Sequence, residues 1–158
     1  MIARRAALPP FQVLLDSYKD DVYRFLCGLL GPADADDCFQ ETFLAALRAY
    51  PSLRNGDNLK SWLLTIAHRK VIDRARATRP TAPLDGAPHP AHDAPAEPDP
   101  GLWAEVDALP GKQRAAVVLR FVNDMAYRDI GAVLDCSEAA ARRSTHEGVK
   151  RLREVIER

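Results

Sequence analysis

Residues 126–156 read AYRDIGAVLDCSEAAARRSTHEGVKRLREVI, and this stretch decides the fold class. Its spacing predicts a short helix over 126–134, a tight connection at Asp135-Cys136, and a long helix over 137–157 with Ser137 as N-cap. On a wheel of about 100° per residue, Ala141, Thr145, Gly148, Val149, Leu152, Val155 and Ile156 share one arc of about 120°. Arg142, Arg143, His146, Lys150 and Arg153 fall on the opposite side. Small and apolar inward, basic outward, is what a helix lying in a DNA major groove requires. A solvated surface helix could carry the same charge. The tight turn and short helix that precede it favour a helix-turn-helix.

Working outward, two more short helices are expected before this pair, over 102–109 and 112–122. The segment before them is different in kind. Residues 80–101 hold Pro80, Pro83, Pro88, Pro90, Pro95, Pro98 and Pro100, four acids (Asp85, Asp93, Glu97, Asp99), no Lys or Arg, and only Leu84 to bury. Such a stretch cannot form a helix interior or a central strand, and it reads as an extended, partly stiff linker. Its neighbours are more basic: residues 1–79 carry 12 cations against 9 acids, and residues 102–158 carry 10 against 9. The sequence therefore divides into a domain over 1–79, a linker over 80–101 and a domain over 102–158. Each domain is small enough that its core must be thin.

The first domain is also helical. Phe11, Leu14, Leu15, Tyr18, Val22, Phe25, Leu26, Leu29 and Leu30 form a 3.6-residue pattern that Gly31-Pro32 ends. A second helix is expected from Asp34, read as its N-cap, with Phe39, Phe43, Ala46, Leu47 and Tyr50 on one side. After the loop Asn55-Gly56-Asp57-Asn58, a third runs from about Leu59 to Ala77, with Leu59, Trp62, Leu63, Ile66 and Ala67 as its stripe. Nothing alternates with period two for long enough to make a strand. The expected fold is all-α.

Composition excludes several classes. With 158 residues the chain is too short for a large catalytic barrel, and no apolar run approaches the ~20 residues of a membrane span. Cys27, Cys38 and Cys136 lie far apart without a CxxC pair, so they read as reduced core-filling thiols of a cytoplasmic protein. His89 and His92 fall in the proline linker without a second ligand pair, and read as incidental. No catalytic constellation, metal site or cofactor motif is predicted.

Two charged clusters remain. Asp34, Asp36, Asp37 and Glu41 give four acids and no base in eight residues. Capping accounts for Asp34 and Asp37 but less well for Asp36 and Glu41, and with Phe39 and Gln40 alongside, the helix suggests a docking face for a basic protein. Downstream, Lys60, Arg69, Lys70, Arg74, Arg76 and Arg79 oppose a single acid, Asp73. Led by a polar loop and Trp62, this helix suits single-stranded nucleic acid, cations following the backbone while aromatic and amide groups receive bases. Trp62 also fits its stripe as a plain core residue.

These residues carry a resemblance. Asp34-Ala-Asp-Asp-Cys-Phe-Gln-Glu-Thr-Phe43 resembles the polymerase-binding helix of sigma-70 family initiation factors. Ser61-Trp-Leu-Leu-Thr-Ile-Ala67 with Val71-Ile-Asp-Arg-Ala-Arg76 is similar to the promoter-melting helix of their extracytoplasmic-function (ECF) group. Leu109-Pro-Gly-Lys-Gln-Arg114, Val118-Leu-Arg-Phe121, Tyr127-Arg-Asp-Ile-Gly131 and Val133-Leu134 resemble that group's second domain. The chain departs from the pattern at His68-Arg69, at Asp135 where glycine is usual, and along 140–148.

The resemblance implies a transcription initiation factor, not an enzyme, that is cytoplasmic and monomeric when free. Its implied partners are core RNA polymerase, promoter DNA and an anti-sigma factor, with no membrane insertion and no cofactor. Asp34, Asp36, Asp37, Gln40, Glu41 and Phe43 would meet the polymerase. Asn55, Asn58, Lys60, Ser61 and Trp62 would form the pocket for the minus-ten strand, with Arg69, Lys70, Arg74 and Arg76 on its phosphates. Ser137, Ala139, Ala140, Arg142, Arg143, His146 and Lys150 would face the minus-thirty-five groove. The rival reading is a stand-alone helix-turn-helix regulator, which needs neither the acidic helix nor the Trp62 segment.

Overall fold

The computed structural model describes residues 8–54, 56–77 and 100–157. Among them run α1 (Phe11–Leu29), α2 (Pro32–Ala49), a 3-10 turn (Tyr50–Ser52), α3 (Leu59–Ala77), α4 (Pro100–Asp107), α5 (Gly111–Phe121), α6 (Tyr127–Leu134) and α7 (Glu138–Ile156). The described residues contain no strand, and the fold is all-α.

The first expected N-cap is wrong by three residues. Gly31, in extended backbone, precedes α2, and Pro32 occupies its first turn, where a missing N–H costs nothing and the fixed φ is already helical. Asp34 therefore sits inside the first turn, where its charge complements the helix dipole. The chain also becomes helical again at Pro100, two residues before the expected helix start at 102, and by the same logic: a proline at the start of α4 surrenders no intrahelical bond. Residues 80–99, with His89 and His92, lie outside the described residues.

Helix α6 stops at an aspartate in the left-handed region, Asp135 at φ 55°, and the turn after α5 holds a second, Asp124 at φ 52°, three residues past Phe121. Asp tolerates this conformation better than most side chains, and the reversal lets the next N–H close on the helix: Met125 N on Leu119 O at 3.1 Å, Cys136 N on Gly131 O at 2.9 Å. The turn after α6 is so tight that a Cβ on Gly131 would lie 2.7 Å from the Cys136 carbonyl oxygen. Ser137 then caps α7, accepting from Ala140 N at 3.0 Å.

Packing follows the predicted stripes, with two exceptions. From the predicted stripes Phe25, Leu26 and Leu63 in the first group of helices and Ala141 in the second are fully buried; Leu64 in the first and Val118, Leu119 and Ile130 in the second, which no predicted stripe contained, are fully buried with them. Leu47, expected on the inner side of α2, is half-exposed. In α7 the apolar arc is buried only through Gly148; the last turn outruns its partner helices, leaving Val155 exposed and Ile156 at 65% exposure. The two groups also meet. α1 packs on α4 and α5, α3 packs on α6, and one apolar core runs across the seam.

Candidate docking and nucleic-acid interfaces

On α2, the 3.6-residue turn puts Asp37, Gln40, Glu41 and Leu44 on one outward face, with Asp36 and Leu47 at its edges. All six are exposed. Phe43 lies on the inner side, buried, its ring against Phe39 (4.8 Å between centroids) and Phe11 (6.5 Å). The sequence reading saw the acids but missed Leu44 and Leu47, which are 54% and 50% exposed. Two leucines so placed beside carboxylates form an amphipathic patch of the kind that proteins bury against a partner. Their spacing from Gln40 and Glu41 carried that signal.

The expected phosphate-binding residues do not all share one role. Arg74 turns back to α2, with Nη2 3.3 Å from Asp37 Oδ2 and 3.6 Å from Asp34 Oδ1. Trp62, Arg69 and Arg76 fall at seven-residue intervals, each about 20° from the next around the helix, and form a separate stripe. Arg69 and Arg76 are exposed, Lys70 half-buried. Trp62 is half-buried at the edge of the core, 6.2 Å from the Tyr50 ring, so it both packs and presents an aromatic edge.

At the start of α3, Asn58 accepts from Ser61 N at 3.1 Å through Oδ1, which makes it the cap of the helix. Its amide nitrogen donates to Asp129 Oδ1 at 2.9 Å. Lys60 Nζ donates to the Asn123 carbonyl at 2.6 Å and lies 3.6 Å from Asp21 Oδ1. Ser61, read as part of a pocket rim, is buried. Asn55 and Arg79 lie outside the described residues.

On α7, Arg142, Arg143, His146 and Lys150 are all exposed; Ser137 and Ala139 are exposed at its N-terminus, and Ala140 is half-buried. Tyr127 organises part of this face. Arg120 and Arg142 stack on its ring, 4.6 and 5.1 Å from the centroid, and His146 meets it edge-on at 6.2 Å. Arg142 also pairs with Glu138 at 3.5 Å, one turn back. Phe121, 63% exposed, Val149, Lys150 and Arg153 continue the surface as a shallow groove of about 460 Å³. Tyr127 and Phe121 stood in the sequence only within the motifs of the resemblance, and nothing there marked Tyr127 as a platform for cations from two other helices.

Thiol chemistry is not prominent. Burial holds Cys27 and Cys38 above the ordinary cysteine value, which keeps both thiols protonated and unreactive. No group of three or more metal-ligating side chains occurs among the described residues.

Comparison with known proteins joins these surfaces. The family description Sigma-70 region 2 matches residues 14–81, and Sigma-70, region 4 matches residues 102–152. The chain is 33% identical to the RNA polymerase sigma factor CarQ of Myxococcus xanthus, over 97% of this chain and 92% of that one. It is 32% identical to the ECF RNA polymerase sigma factor SigE of Mycolicibacterium smegmatis, over 96% of this chain, which spans 63% of SigE. In fold it is similar to the sigma factor RpoE of Bartonella quintana in complex with the anti-sigma factor NepR, with a TM-score of 0.80, 21% identity, and coverage of 93% of this chain and 96% of that one.

Proposed function

The chain belongs to the sigma-70 family of RNA polymerase sigma factors, in its extracytoplasmic-function group, and on that premise we propose how its helices divide the work of initiation. The protein is a transcription initiation factor. It binds core RNA polymerase, directs it to specific promoters and opens the minus-ten element. The observation that carries this reading is the presence in one chain, in family order, of an acidic-apolar docking helix, a helix edged by Trp62 and cations, and a basic helix after a tight turn. A stand-alone regulator needs only the last, and the Sigma-70 region 2 match over 14–81 has no place in one.

Core polymerase docks on the α2 face of Asp36, Asp37, Gln40, Glu41, Leu44 and Leu47. The acids speed and orient encounter, and the leucines supply apolar burial. The minus-ten non-template strand follows Arg69 and Arg76, with bases against Trp62 and the Asn58–Lys60 end of α3. Extruding a base costs a few kcal/mol, which stacking and phosphate contacts offset. α7 enters the minus-thirty-five major groove with Arg143, His146 and Lys150 outermost and Arg142 steadied by Tyr127. The factor works in the cytoplasm with polymerase and DNA, and an anti-sigma factor, the partner of RpoE in the Bartonella quintana complex, is a fitting regulator.

Affinity capture of core polymerase tests the docking assignment. The wild type retains the enzyme, and a variant with Asp36, Asp37 and Glu41 reversed to lysine does not. Equal recovery would remove α2 from the interface.

A further inference from the structure

Among the cations of α7 stands one acid. From Arg142 to Arg153 the helix carries Arg142, Arg143, Lys150, Arg151 and Arg153, and only Glu147 is negative. At 3.6 residues per turn, Lys150, Arg143 and Glu147 fall within about 60° of one another around the axis, and all three are exposed. On a solvated helix such an acid ordinarily pairs with a cation one turn away. Here it does not: among the described residues Glu147 forms no ion pair, whereas Glu138 pairs with Arg142 at 3.5 Å.

What holds Glu147 comes from another helix. Gln113 Nε2 of α5 donates to Glu147 Oε2 at 3.3 Å. Gln113 is half-buried where the two helices touch closely: a Cβ on Gly148 would lie 3.5 Å from the Gln113 Cβ and 2.7 Å from Val117 Cγ2. The Gln113 Oε1 atom is buried with no partner among the described residues. An unmet buried acceptor is costly, but the opposite amide orientation would set that oxygen against the carboxylate. The amide thus directs its donor at Glu147. Held through one oxygen, the carboxylate keeps acceptor capacity on the other.

Resting on the groove placement of α7 proposed above, we propose that Glu147 is a specificity-determining residue: it accepts a hydrogen bond from the amino group of a cytosine in the minus-thirty-five element, with Gln113 as its positioning residue. Phosphates repel a carboxylate, so an acid on the duplex-facing side adds to binding only where a base offers it a donor. In the major groove those donors are cytosine N4 and adenine N6. Adenine sets its N7 acceptor beside N6, which repels the second carboxylate oxygen; cytosine presents no acceptor there. The guanine of the same pair, or of a neighbouring one, offers O6 and N7 to Arg143, one turn from Glu147. Cation and acid together therefore favour G and C on adjoining edges.

The test uses the holoenzyme. Core polymerase charged with wild type, Glu147→Ala, Glu147→Gln or Gln113→Ala selects from a random-sequence duplex library, and the bound pools are sequenced. The wild type should enrich cytosine at one position of the upstream element at least about fivefold over each other base. Glu147→Ala should lose that preference and keep the rest of the motif. Glu147→Gln should move the position to adenine, because an amide donates to N7 while accepting from N6. Gln113→Ala should weaken the preference at least about twofold, with helical circular dichroism unchanged. The proposal falls if Glu147→Ala selects the wild-type motif, if it weakens every position alike, as a structural role would, or if Glu147→Gln retains cytosine. An unaltered motif for Gln113→Ala overturns the positioning role. A wild-type pool matching that of core polymerase alone would overturn the proposed function instead, a result distinct from all of these.

Discussion

The Arg74 guanidinium reaches from α3 back to α2, 3.3 Å from Asp37 Oδ2 and 3.6 Å from Asp34 Oδ1, so one cation of the helix proposed to bind DNA is committed to the acids of α2. Exposed pairs of this kind contribute at most about 1 kcal/mol. Arg74→Ala should lower the melting temperature by only a few degrees and leave the salt dependence of single-strand binding unchanged. Arg69→Ala and Arg76→Ala should each reduce the slope of log affinity against log salt by about 0.7. Titration at three salt concentrations separates the two classes.

Leu44 and Leu47 stand exposed beside Gln40 and Glu41. Because neither contributes to the core, Leu44→Asp with Leu47→Asp should leave thermal stability within about 0.5 kcal/mol of the wild type. Core-polymerase affinity should fall at least about tenfold, the effect of losing apolar anchors at an interface. Calorimetry and a polymerase-binding titration measure the two quantities on the same sample.

The turn after α6 makes opposite demands at two neighbouring sites. Gly131→Ala places a methyl 2.7 Å from a backbone oxygen that cannot rotate away, and should destabilise the second module by about 1–3 kcal/mol. Asp135→Gly relieves a left-handed non-glycine residue and should stabilise by up to about 1 kcal/mol. Denaturant midpoints of the two variants should move in opposite directions.

His68 of α3 lies against the Phe25 ring and hydrogen-bonds to the backbone of Val133 in α6. Burial pushes its imidazole below the ordinary value of 6.5, more than that hydrogen bond raises it. The unfolded chain then binds the proton more readily than the folded one. Stability from a neutral His68 is complete above 6.5 and declines as pH falls below it. His68→Gln should show a shallower fall in melting temperature between about pH 7.5 and about pH 5.5 than the wild type, the difference reporting this one group.

The helices were largely legible because their apolar periods are strong: Leu59 to Ala77 is the α3 range expected from the stripe and the loop before it. The Ser137 cap was legible because its oxygen serves a purely local N–H. What escaped the sequence is tertiary. Leu47 fits an inward arc on its own helix, yet it is exposed because no helix among the described residues covers that edge of α2. Arg74 has the charge of its neighbours, and only the adjacent α2 decides that it pairs with Asp37. Asn58 and Lys60 were selected for their chemistry, but that Asp129 and Asn123 would occupy them could not be read from residues more than sixty positions away.

Promoter-directed RNA synthesis tests the central claim most directly. Core polymerase and fragments of the source genome are incubated with and without the purified chain, and run-off products are mapped. The account predicts discrete start sites that require the chain and vanish when Asp36, Asp37 and Glu41 are reversed in charge. Transcripts identical with and without the wild-type chain, on fragments covering the whole genome, would contradict it.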